Sequence, residues 1–226
     1  MPDALGWRHR FGVLGPSTNT IVQPDMEAMR PPGVTNHYSR IFTADAHAIS
    51  NESFMAGARL IGENTVDAVA SVMTSAPDSL VMGMSAVTFF GGAAGADAFK
   101  ARIEAASGLK VSIGSHAAAD ALRAFGARRI AFMSPYFPAA NAEVRRYLQD
   151  AGFTVVRDSI RSLDGDDVDA ILQVGTNLSA VRIAAAAELW LGKPVIAINV
   201  ATYWHALRSS GIHDRVDGCG RLLRDF

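Results

Sequence analysis

The chain has 226 residues, 49% hydrophobic and 19% charged, and its 21 Lys and Arg nearly balance 22 Asp and Glu for a net charge of −1. That balance excludes a disordered chain, which needs low hydrophobicity with high net charge, and a duplex-binding protein, which needs a basic excess against phosphates. A single cysteine can neither close an internal disulfide nor furnish a cysteine-rich zinc site.

The first ten residues hold charges and a tryptophan but no apolar stretch followed by small residues, so no targeting signal is read there. The longest apolar runs, Ser79–Phe90 and Pro194–Val200, are strand-sized. They fall short of the roughly 18–20 residues that a membrane helix needs. A soluble, cytoplasmic protein with no membrane or nucleic-acid partner is expected.

In chain order, strands are predicted at Arg10–Leu14, His37–Phe42, Leu80–Met84, Val111–Ile113, Arg129–Met133, Thr154–Val156, Ala170–Val174 and Val195–Ile198. Helical spacing fills Ile21–Met29, Glu52–Ser75, Ala93–Ser107, His116–Phe125, Asn141–Asp150, Leu178–Leu191 and Thr202–Ser210. Short apolar runs alternating with helices predict an α/β protein with parallel sheets, and runs such as IAFM and AILQV predict strands buried on both faces. Gly108, Gly126, Gly152 and Gly192 each close a helix before a strand, as left-handed caps do. Only about a dozen residues separate Val156 from Ala170. A parallel crossover normally carries a helix, so either these strands are not parallel neighbours or, the favoured reading, a segment is missing from this stretch.

Two pairs of strand ends resemble each other. Gly12–Thr20 and Ala131–Asn141 both run from strand through a proline-containing polar turn into a helix. Leu80–Val87 and Ile171–Leu178 both run from strand into Gly-X-Ser or Gly-X-Asn. Two similar lobes facing each other are predicted, with a site beyond the carboxyl ends of their strands. The first lobe is assigned residues 1–112 plus 195–226, and the second 113–194. At each turn, backbone N–H groups near a helix start suit an anion. Gly83, Met84 and Ser85 form one turn, Gly175, Thr176 and Asn177 another. Ser17, Thr18 and Asn19 stand at a third, and Tyr136 supplies a phenol at the fourth. Small uncharged donors from two lobes suit a carboxylate or dicarboxylate. Taken singly, each is also an ordinary capped turn.

The chain resembles the Asp/Glu racemase superfamily, in its branch of maleate isomerases and arylmalonate decarboxylases, over nearly its whole length. The carriers are GPSTNT, VMGMSAVTFFGG, AFMSPYFPAAN, GTNL, KPVIAINVATYWHALRSSGI and the ending GCGRLL. The resemblance implies two Rossmann-like lobes with parallel sheets related by pseudo-twofold symmetry, a cleft between them, and catalysis without metal or organic cofactor. It also implies a homo-oligomer. In racemases and maleate isomerases of this group two cysteines flank the substrate, one from each Gly-X-Ser/Asn turn, whereas the decarboxylases keep only the second. Here those positions fall on Gly83 and Gly175, which offer neither nucleophile nor proton, and Cys219 matches a tail segment. Tyr136 stands where the decarboxylase branch has a tyrosine.

Among the histidines, His37 resembles a position on the family's second strand near the cleft and is taken as a substrate-binding candidate. His205 and His116 read as structural, and no pair has the spacing of a metal site. The expected function is a cofactor-independent isomerase, racemase or lyase acting on a small carboxylate or dicarboxylate. Tyr136 and the positions Gly83 and Gly175 mark its catalytic places, and Asn19, Met84, Ser85, Thr176, Asn177 and His37 its binding groups. The alternative is a catalytically silent carboxylate-binding member of the same family.

Overall fold

A computed structural model describes residues 3–43, 50–158 and 162–226. Among the described residues, eight strands form two four-stranded sheets. The first holds β1 (His9–Pro16), β2 (Val34–Ile41), β3 (Ser79–Met82) and β4 (Val111–Ser112), in the order β2-β1-β3-β4. The second holds β5 (Arg129–Met133), β6 (Thr154–Arg157), β7 (Ala170–Gln173) and β8 (Val195–Ala197), in the order β6-β5-β7-β8. Every pairing is parallel, so the two sheets repeat one topology. In each, the first strand lies inside and the third lies beside it.

Helices cover the sheets because their apolar residues recur on one face. In α2 (Asn51–Met73), Ala58, Ile61, Thr65, Ala68, Val69 and Val72 are buried at intervals of three or four. Its start is fixed by a capping box, in which the Ser53 amide donates to Ser50 Oγ at 3.2 Å and the Ser50 amide donates to Ser53 Oγ at 3.0 Å. The remaining helices are α1 (Val22–Ala28), α3 (Gly92–Ser107), α4 (Gly114–Ala124), α5 (Pro138–Asp150), α6 (Val181–Leu191), α7 (Ile198–Ser209) and α8 (Arg221–Asp225). Phe11, Leu14, Met26, Phe89, Phe132 and Tyr203 are wholly enclosed in one core that spans both sheets. The four glycines expected to end helices all have positive φ. Among the described residues no helix is long and apolar enough to cross a membrane.

Two expectations need correcting, and two short elements were not predicted. The strand at 195 belongs to the second sheet, because β8 pairs with β7, and the chain returns to the first sheet only with α7. That helix packs on β3, β4, α1 and α4. Its first turn begins at Ile198, so the apolar run from Pro194 is half strand and half helix. Finally, α8 and the 3-10 turn Ala86–Phe89 follow no apolar period that the sequence makes plain.

Strands β6 and β7 lie on opposite sides of β5, and the described residues that join them contain no α-helix. One face of the second sheet therefore keeps a groove of about 410 Å³, lined by Met133, Leu163, Ile171, Leu178, Ile183 and Val195 among others.

Candidate functional site

The carboxyl ends of β1, β3, β5 and β7 meet in pairs across the two sheets. After β1, Asn19 donates through Nδ2 to Thr176 Oγ1 after β7, at 3.1 Å. The Thr20 amide donates to Asn177 Oδ1 at 3.1 Å. After β3, Ser85 Oγ lies 2.7 Å from the Tyr136 hydroxyl after β5. The β1 turn thus meets the β7 turn, and their topological counterparts, the β5 and β3 turns, meet each other. Both sheets share one strand order, so the exchange pairs equivalent turns.

Each group is held by its own turn. Asn19 is buried and caps α1, its Oδ1 accepting the Ile21 and Val22 amides at 2.9 Å each. Arg40 steadies the same turn from β2, donating to the Asn19 carbonyl at 2.6 Å and to Gln23 Oε1 at 2.9 Å. Ser85 is fully buried and begins the 3-10 turn. Tyr136 follows Ser134, whose Oγ accepts the Tyr136 amide at 3.1 Å, and its ring lies 5.4 Å from that of Phe54 on α2. Burial of its hydroxyl end pushes the phenol well above the usual tyrosine range. Tyr136 therefore keeps its proton, and either hydroxyl can be the donor in its pair with Ser85.

Of the predicted residues, Asn19 meets Thr176 beside Asn177, and Ser85 meets Tyr136, in two separate contacts between the sheets. Met84 is buried between Gly83 and Ser85, and the Gly83 amide is tied to the Leu14 carbonyl at 2.6 Å. Gly175 has φ of +117°, and its carbonyl accepts from Gln173 Nε2 at 2.9 Å. His37 is not brought to the turns. It stands mid-strand opposite Gly12, and its Nε2 lies 3.0 Å from Thr35 Oγ1. The strand begins earlier than its apolar residues suggest, and the shift carries His37 away from the carboxyl end.

The sequence reading missed Asn199 and Asp25. Asn199, buried at the start of α7, donates through Nδ2 to Asp25 Oδ2 at 2.7 Å and to the Thr176 carbonyl at 3.1 Å. It ties the β7 turn to α1, and burial raises the Asp25 carboxyl above its ordinary value. The available signal was an asparagine ending an apolar run, the pattern that marked the other turns. Elsewhere, His205 Nδ1 lies 2.9 Å from Ser112 Oγ and His116 Nε2 lies 3.0 Å from Asp97. Cys219 is buried in the segment that joins α7 to α8, and burial and the nearby Asp25 raise its thiol above the ordinary value. Among the described residues no cluster of His, Cys, Asp and Glu could hold a metal ion.

The family model for arylmalonate decarboxylase matches residues 19–187, from the β1 turn into α6. The chain belongs to the arylmalonate decarboxylase family. It is also 26% identical over 246 residues to a maleate isomerase of Nocardia farcinica, covering 95% of each chain. A structure of the Nocardia farcinica maleate cis-trans isomerase carrying a covalently bound succinylcysteine intermediate superposes with a TM-score of 0.86 at 25% identity, over 96% of this chain and 99% of that one. An arylmalonate decarboxylase structure shares the fold with a TM-score of 0.76 at 21% identity, over 95% and 98% of the two chains.

Proposed function

We propose that this family member holds a small carboxylate or dicarboxylate between its two sheets and carries out cofactor-independent, lyase- or isomerase-like chemistry without a cysteine. The observation that carries the reading is the buried Ser85–Tyr136 hydroxyl pair, formed from two sheets at one point. Either hydroxyl can rotate to donate to a carboxylate oxygen. Together with Asn19, Thr176 and the amides of Met84, Ser85 and the Gly175–Asn177 turn, they make a fixed set of uncharged donors. Such donors stabilise the enediolate that holds the negative charge once a carboxylate has lost carbon dioxide, without reorganising.

A succinylcysteine of the kind seen in the Nocardia enzyme has no counterpart here, because Gly83 and Gly175 carry no sulfur. A phenol held above its usual range gives up its proton reluctantly, so Tyr136 acts as oxyanion donor and the carbanion takes its proton from water. A second reading, a silent carboxylate binder, is favoured by the same two glycines and the absence of a thiol from the turns.

Calorimetric titration with maleate and an arylmalonate, followed by assays for fumarate and for released carbon dioxide, separates the two. Binding with turnover that Tyr136→Phe abolishes supports the enzyme. Binding without consumption supports the second reading. No binding of either acid refutes both.

A further inference from the structure

The two glycines at the family's cysteine positions are not open space. A Cβ on Gly83, whose backbone conformation is ordinary, would stand 2.8 Å from Val22 Cγ1 and 3.1 Å from the Leu14 carbonyl oxygen. A Cβ on Gly175 would stand 2.6 Å from Pro135 Cδ and 2.9 Å from Pro135 Cγ. The backbone there, at φ of +117°, is one that L residues rarely adopt. Real Cβ atoms essentially never approach other heavy atoms within 3.0 Å.

The obstruction has the same origin in both lobes. Val22 lies three residues beyond Asn19, on the helix that follows β1. Pro135 lies beside Tyr136, on the turn that follows β5, the counterpart of β1 in the second sheet. In each lobe, the segment after the inner strand fills the place toward which a side chain after the third strand would point. Val22 is buried, whereas Pro135 is exposed and held only as part of its turn.

We propose that Val22 and Pro135 decide the reaction type at this cleft. They exclude a thiol from both flanks, and with it thiol proton transfer and thiol addition, while leaving the hydroxyl and amide donors in place. The assignment of these flanks to a substrate site rests on the function proposed above.

The test uses a Cys219→Ser background, so that only an introduced thiol reports. Iodoacetamide alkylation and Tm are measured for Gly83→Cys and Gly175→Cys, alone and combined with Val22→Ala and Pro135→Ala respectively. The expected result is slow alkylation and a lowered Tm for each single cysteine, with at least tenfold faster alkylation once its wall residue is trimmed. Single cysteines alkylated as fast as the paired variants, at the parent Tm, would overturn the proposal. If strain at position 175 prevents folding, the Gly83 arm decides.

An alanine cycle of Gly83→Ala and Val22→Ala needs no thiol. A Tm loss in the double variant smaller than the sum of the singles is expected, and strict additivity overturns the proposal. Titration of the unmodified protein with maleate keeps the two claims apart: a protein that binds no carboxylate refutes the proposed function, while alkylation and Tm still judge the walls.

Discussion

Removing one hydroxyl from the Ser85–Tyr136 pair isolates the contact on which the proposed site depends. Tyr136→Phe keeps the ring and its 5.4 Å approach to Phe54 but leaves Ser85 Oγ, fully buried, without its 2.7 Å partner. An unsatisfied buried hydroxyl costs about 1–3 kcal/mol. In a chain of this size each kcal/mol lowers Tm by about 2–4 °C, so a drop of roughly 2–12 °C is expected. Ser85→Ala strands the Tyr136 hydroxyl in turn and should cost a similar amount. Removing both partners leaves no orphan, so the double variant should lie within about 1 kcal/mol of the less stable single variant, giving a coupling of about 1–2 kcal/mol. Urea unfolding of the four proteins supplies the cycle, and maleate titration of each supplies the functional arm. Additive losses, or Tyr136→Phe binding carboxylate as the unmodified protein does, would refute the reasoning.

Other contacts yield predictions of the same kind. Asn19→Ala removes the cap of α1 together with the link to Thr176, and should cost about 1–2 kcal/mol in urea unfolding while weakening carboxylate binding. Glu188 is buried on α6, where its carboxylate accepts the Val195 amide at 3.1 Å and the Arg221 amide at 2.8 Å. Glu188→Ala strands both amides and should destabilise by about 2–4 kcal/mol, with hydrogen exchange rising first in α8. Burial lowers the imidazoles of His9, between Ser79 and Ser210, and of His116 below their usual value. The unfolded chain then binds more protons than the folded one. Their contribution is complete above a pH of about 6.5 and is lost as pH falls through that value toward the folded ones. Unfolding free energy should therefore fall between pH 7 and pH 5.5 (the approximate window for histidine), and a His9→Asn, His116→Asn variant should flatten the slope; an unchanged slope would count against burial as the cause.

Much of the fold was legible because strands covered on both faces leave continuous apolar runs. The runs IAFM and AILQV, and the glycines that end the helices, are local signals that tertiary packing need not supply. The chemical type of the turns was legible for the same reason, since a strand ending in small polar residues announces itself. Which turns would meet was not. The contacts of Ser85 with Tyr136 and of Asn19 with Thr176 join residues 51 and 157 positions apart, and their pairing depends on how two sheets are set against each other. The sheet of β8 was hidden likewise, because an apolar triplet pairs as well with one neighbour as with another. Asn199 was concealed by a run that changes from strand to helix at Ile198. His37 was misplaced because β2 starts at Val34, and a few residues of offset along a strand move a side chain from its end to its middle.

The return of α7 to the first sheet has a mechanical consequence. The backbone passes between the lobes twice, once between β4 and β5 and again just after β8. Two covalent crossings define a line, so one lobe can turn relative to the other about that line but cannot swivel freely, as it could on a single tether. The molecule is built like a book with a stitched spine. The core that spans both sheets, together with the hydrogen bonds between the four turns, holds its pages shut and keeps the same turns against the same partners.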